Sequence, residues 1–200
     1  MFQKISIIAF VVTLACVVLH RIVVPSNKRL PGNSRNEKLS IIGMLRILIY
    51  LAVLFCFIIL AITGFYPTLI LGKHITGYLV MVHATFAPVF AVCLAVLAVM
   101  WAQRWRFTGG DWPWFERVVR WATLADNPGE NTFHKGSGLG RKISFWLIIF
   151  LALPLILSIV LSMLPLFGTH WQEILLSMHG YTALVFTMVA ILHTYFIIRT

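Results

Sequence analysis

Acidic residues are scarce. The 200-residue chain holds 6 Asp and Glu against 16 Lys and Arg, and charged residues make up only 11% of it. A soluble domain carries about 25%, so an ordinary water-facing surface is excluded. None of the six acidic residues lies inside a long apolar run, so no carboxylate pair is available for hydrolytic chemistry within a helix bundle. Cysteine is also rare. Cys16, Cys56 and Cys93 each fall in an apolar run and read as small buried residues, with no disulfide framework. No Cys-x-x-Cys-His occurs, which argues against a covalently attached c-type haem. No internal repeat and no low-complexity segment stands out.

Apolar residues are abundant, at 60% of the chain. Nearly all fall in uninterrupted runs, and about 20 residues suffice for a helix to cross a bilayer. The runs predict spans at 5–24, 46–65, 75–102, 143–167 and 174–198. The expected fold is all-α, a single integral membrane helix bundle. Pro25 and the polar stretch 26–40 end the first span. Gly64 and Pro67 are expected to break the second from the third. Residues 103–142 form a long polar loop rich in Trp and Gly. Pro88, Pro154 and Pro165 lie in or at the ends of spans, where neighbouring helices can satisfy the freed carbonyls.

The formal net charge of +10 encodes topology here, not nucleic-acid binding. One loop carries Lys28, Arg29, Arg35 and Lys38, with Arg21 and Arg46 at its margins. The other carries Arg104, Arg106, Arg117, Arg120, Lys135, Arg141 and Lys142. The opposite side has little beyond Lys4 and Lys73. The positive-inside rule puts both basic loops in the cytoplasm, the N-terminus outside and the C-terminus, with Arg199, inside. A cleaved signal peptide is the competing reading of residues 1–24. No small-x-small site follows the run and the charge lies on the wrong flank, so a retained helix is expected.

Histidines then stand out. His179 and His193 are fourteen positions apart in the last span. On a helix both rings return to nearly one face, about 21 Å apart along the axis. A polar ring in hydrocarbon needs a partner. Two rings at two depths fit a pair of haems, each using an imidazole as axial ligand. Topology supplies the partners. His83 enters at the outer level with His179, and its neighbours in 82–87 are small or apolar, so a flat macrocycle can pack there. His20 lies at the cytoplasmic level with His193. Two readings of His20 stay open, a ligand or an interfacial, hydrogen-bonded residue beside Arg21. His74, His134 and His170 read as surface residues in loops or at their edges.

These residues together resemble the membrane cytochrome b subunit of respiratory formate dehydrogenase and nickel–iron hydrogenase, within the cytochrome b561-like superfamily. The resemblance covers about residues 44–198. Leu176-Ser177-Met178-His179 and Ala190-Ile191-Leu192-His193-Thr194-Tyr195 fit the family's last helix, which carries two ligand histidines. Met81-Val82-His83 stands in place of its leucine-histidine element. Asp111-Trp112-Pro113-Trp114 resembles the acidic, tryptophan-rich element of its long loop. Gly140-Arg141-Lys142, followed by Phe145-Trp146, resembles its Gly-Gln-Lys and aromatic helix entry. Two departures matter. Arg46-Ile47-Leu48-Ile49-Tyr50 has Ile49 where the family has a ligand histidine, and Gly138 stands where it has an asparagine near the quinone.

The resemblance implies a four-helix haem-binding core, here with one extra N-terminal helix that brings His20. It implies electron transfer between the quinone pool and an extracytoplasmic iron–sulfur or multihaem cytochrome subunit, in a hetero-oligomeric complex of a bacterial or archaeal cytoplasmic membrane. The axial ligands would be His83, His179, His193 and His20, holding two haems b, or one if His20 does not replace the missing ligand. Lys73, Arg21 and Arg46 are candidates for haem propionates, and contact with lipid head groups is an equal reading for each. His134, Gly138, Gly140, Arg141 and Lys142 are candidates for the quinone pocket. Two other functions stay open: a stand-alone transmembrane reductase, and an anchor or scaffold that has lost its cofactors.

Overall fold

The structure, a computed structural model, describes residues 2–23, 41–109, 139–164 and 168–199. Among the described residues the fold is all-helical. The helices are α1 (Phe2–Val23), α2 (Ile41–Leu69), α3 (Tyr78–Ala102), α4 (Leu139–Met163) and α5 (Thr169–Arg199). All five are long and apolar enough to cross a membrane. A helix satisfies its backbone groups internally, which hydrocarbon demands. Hydroxyls inside the helices follow the same rule: Thr13 donates to Ala9 O, Thr187 to Ala183 O and Thr194 to Ala190 O, each at 2.8 Å.

Direction alternates along the chain. At one end Gln3 Nε2 donates to Leu69 O at 2.9 Å, and the Phe2 ring meets Tyr181 edge-on at 5.0 Å. The starts of α1, α3 and α5 therefore gather with the close of α2. At the other end Tyr50 stacks on Trp101 at 5.8 Å, and Trp146 Nε1 donates to Trp105 O at 3.0 Å. This second end also holds Arg21, Arg46, Arg104, Arg106, Arg141 and Lys142, whereas Lys4 and Lys73 lie at the first.

The bundle is two hairpins and a brace. α2 packs along α3, and α4 along α5, while α3 and α4 touch only sparsely. α1 reaches across to both α2 and α5, placing Phe10 edge-on to Phe65 at 5.2 Å. The core lies at mid-depth between the hairpins. Cys56, Phe90, Leu94, Ala152 and Phe186 are buried there. Phe57, Phe90 and Phe186 form a ring cluster with centroid separations of 6.3, 5.9 and 6.0 Å. Outside it, Ile8, Val11, Leu19, Leu48, Val99, Phe150 and Leu153 are exposed around the perimeter. Such a girdle has no place in water and suits lipid.

Helix ends differ from the sequence expectation in ways the backbone explains. α2 continues through Gly64 and Pro67 to Leu69. Pro67 removes one N–H without ending the helix, since Ile70 N and Leu71 N still find Tyr66 O and Pro67 O at 3.0 and 3.2 Å. The break comes later, at Gly72 and Gly77, both with φ of 62°, where an L side chain would be strained. α4 begins at Leu139 instead of 143, so Gly140, Arg141 and Lys142 belong to its first turn. α5 begins at Thr169 instead of 174, which takes His170 into a helix.

Phe186→Ala should leave a void that Phe57 and Phe90 cannot refill. A fall of about 3–5 kcal/mol in unfolding free energy, read by denaturant titration in detergent, is expected.

Candidate functional site

Three imidazoles inside the bundle share one device. His83 sits on α3, one turn and a half from its start, with Nδ1 2.9 Å from Thr63 Oγ1 on α2. His179 on α5 has Nδ1 2.9 Å from Leu155 O on α4. His193, also on α5, has Nδ1 2.7 Å from Ser144 Oγ on α4. A carbonyl only accepts, so His179 Nδ1 carries the proton. Thr63 Oγ1 lies 2.8 Å from Ile59 O, and Ser144 Oγ 2.7 Å from Gly140 O. Each hydroxyl gives its one proton to its own helix and accepts from the imidazole. All three rings thus hold the proton on Nδ1. Nε2 keeps its lone pair, which is the tautomer of a metal ligand oriented by a second partner.

At the first end, His83 and His179 come together from different hairpins. Their ring centroids are 6.4 Å apart and their planes 80° apart. A metal–imidazole nitrogen bond is about 2.0–2.1 Å, and atoms of a five-membered ring of bonds near 1.33 Å lie about 1.1 Å from its centre. Two imidazoles gripping one metal from opposite sides therefore have centres about 6.3 Å apart. The observed separation matches. Ligation fixes the line between the rings and leaves their twist free, so 80° is compatible. A metal held by these two imidazoles would need its other donors from outside the described residues. Groups of three or more His, Cys, Asp or Glu do not assemble among the described residues. Gly64 stands behind His83: a Cβ there would lie 3.4 Å from Cε1.

At the second end, His193 is buried and lines a cavity of about 270 Å³ between the hairpins. Tyr50, Trp101, Phe145, Ile148 and Thr194 are among its walls, which come from α2, α3, α4 and α5. No α1 residue lines it. The expected partner, His20, is exposed on α1, with Nδ1 2.6 Å from the hydroxyl of Tyr195. The described contacts join His20 to Tyr195, two residues along α5 from His193, and not to His193. The two levels are thus unequal: the first brings together a pair of imidazoles, the second holds one inside the bundle.

The remaining predicted residues scatter. Lys73 is exposed in the α2–α3 turn, and Arg21 is exposed on α1. Arg46 is half-buried, with Nε lacking a partner. Gly140 packs against Phe196, whose ring would sit 3.3 Å from an added Cβ. Arg141 lies over the Trp105 ring at 5.4 Å. Lys142 is half-buried in the same turn. His134 and Gly138 lie outside the described residues, as does the tryptophan-rich element at 111–114. Exposed His74 and His170 agree with their reading as surface residues.

Sequence reasoning missed Thr63, Gly64, Ser144 and the Leu155 carbonyl. Thr63-Gly64 was a usable signal, a polar and a small residue in an otherwise apolar run. Ser144 was less visible, and a carbonyl partner leaves no trace in a sequence. No protein-family model matches the chain, and no curated protein matches it.

Ser144→Ala should strand the His193 Nδ1–H in the interior at a cost of about 1–3 kcal/mol, measured by the same titration. Gly64→Ala should be tolerated, since 3.4 Å is an ordinary contact. Gly64→Leu should destabilise by about 1–3 kcal/mol, because its branches must displace the His83 ring.

Proposed function

We propose that this chain is the membrane-bound b-type cytochrome subunit of a respiratory complex. It would carry electrons between an extracytoplasmic iron–sulfur or multihaem partner and the quinone pool. The observation that carries the reading is the His83–His179 apposition, at a separation suited to two axial ligands on one metal. The positive-inside rule sets the first end outside and the basic second end in the cytoplasm of a bacterial or archaeal membrane.

His83 and His179 would hold one haem b. His193 would hold a second, with His20 as the candidate for its other ligand. When bound, haem supplies a one-electron iron couple whose potential follows its axial ligands and burial. The chain's own residues do the rest. Thr63 and the Leu155 carbonyl fix the tautomer and direction of the outer imidazoles, and Ser144 does so for His193. Phe57, Phe90 and Phe186 make the space between the two levels apolar. Lys73 at the outer level, and Arg21 and Arg46 at the inner level, supply positive charge for propionates. Gly140, Arg141 and Lys142, with His134 and Gly138, are the candidates for a quinone pocket near the cytoplasmic side. A scaffold without cofactors is disfavoured by cost, since His83 and His179 would then be expensive polar residues in hydrocarbon.

A pyridine haemochrome assay on the intact complex should give one or two haems b per chain, and a colourless preparation would end the reading. His83→Ala and His179→Ala should each remove the outer haem and its low-spin spectrum. His20→Ala should remove the inner one if α1 supplies that ligand, and an unchanged haem ratio would refute this part alone. Thr63→Val should raise the outer potential by the equivalent of about 1 kcal/mol, the net worth of one hydrogen bond, since the imidazole becomes a weaker donor. Thr63→Ser should restore it.

A further inference from the structure

At the second end a histidine lines a cavity without the counterpart that the first end supplies. No second imidazole stands on its walls among the described residues. Tyr50 and Trp101 stand there instead, stacked at 5.8 Å with planes 17° apart. His193 already gives its Nδ1 proton to Ser144 Oγ at 2.7 Å. Its Nε2 has no described partner, yet it is not sealed away from a molecule the size of water. The lone pair therefore meets the cavity that the ring lines. An acceptor inside a bundle calls for a donor. Most of the other walls are apolar, with Phe57, Phe90, Phe145 and Phe186 supplying flat faces. The volume is about 270 Å³. A dry apolar cavity of about 150 Å³ holds one benzene ring, so this one suits two fused rings. Leu54 lines the cavity and is 37% exposed. The α2 wall thus reaches the perimeter of the bundle, the side from which a lipid-soluble molecule arrives.

We propose that this cavity binds a two-ring aromatic molecule bearing a hydroxyl, in place of a second haem. The hydroxyl donates to His193 Nε2, and the rings lie among Trp101, Phe145 and Phe186. Such a ligand matches both halves of the site, one acceptor and many aromatic faces. The proposal rests on the cavity alone. It takes the one-haem form of the electron-transfer reading and leaves the outer level as it is.

Equilibrium dialysis of full-length protein in nanodiscs tests it, with 2-naphthol and, separately, 2-methylnaphthalene, which carries a methyl where the hydroxyl was. Both are corrected for uptake by empty nanodiscs. Wild-type protein should bind one 2-naphthol per chain, about five- to tenfold tighter than 2-methylnaphthalene, the worth of one hydrogen bond. His193→Phe should bring the two ligands to equal affinity and leave haem per chain unchanged. Leu94→Trp, which fills the cavity from α3, should abolish binding of both. Equal affinities in the wild type would overturn the proposal without any variant, so it stays testable should either variant not fold. Retention of the preference in His193→Phe would overturn it as well. Two haems in the wild type, falling to one in His193→Phe, would overturn it by giving the imidazole to iron. A colourless preparation that still prefers 2-naphthol would end the electron-transfer reading and support this one.

Discussion

A ring nitrogen in hydrocarbon must find an acceptor, and this constraint organises the bundle. Each of the three internal imidazoles hands its Nδ1 proton to the neighbouring helix of its own hairpin: His83 to Thr63 within α2–α3, His179 to Leu155 and His193 to Ser144 within α4–α5. The hydrogen bonds therefore tie helices within hairpins. They leave Nε2 unspent, and at the first end they bring His83 and His179 edge-on to one another across the seam between hairpins. Were the acceptors across the seam instead, the rings would be consumed by the fold and unavailable for chemistry.

The seam explains why one end differs from the other. At the first end both hairpins contribute a histidine. At the second, the α2–α3 hairpin offers Tyr50 and Trp101, and the α4–α5 hairpin offers His193. α1 lies across α2 and α5 and carries His20 to Tyr195. A helix on the perimeter can reach the edge of such a seam more readily than its middle.

Most of the architecture was legible in the sequence, because hydropathy over about 20 residues reports a physical requirement for spanning lipid. All five helices match expected runs. The levels of His83, His179 and His193 followed from counting alternate crossings. Helix ends were less legible. Gly64 and Pro67 read as breakers because in water they are, whereas a packed apolar helix tolerates both. Gly64 lies beside the His83 ring, where an added Cβ would make an ordinary 3.4 Å contact. Gly140, Arg141 and Lys142 read as loop because charge marks the end of a span, although the helix itself continues past the apolar layer. His20 matched in depth, and its position around the bundle could not be counted from spacing alone.

The aromatic cluster has a consequence of its own. Phe90 stands seven residues after His83, and Phe186 stands seven after His179 and seven before His193. Both rings are buried, and they touch each other and Phe57. The histidine faces of α3 and α5 are therefore interrupted at mid-depth by an insulating plug. The same three rings also line the cavity that holds His193, so its mid-depth wall offers a water molecule no hydrogen-bond partner. A molecule entering that cavity therefore meets its polar side chains at the basic end, on Tyr50, Trp101, His193 and Thr194.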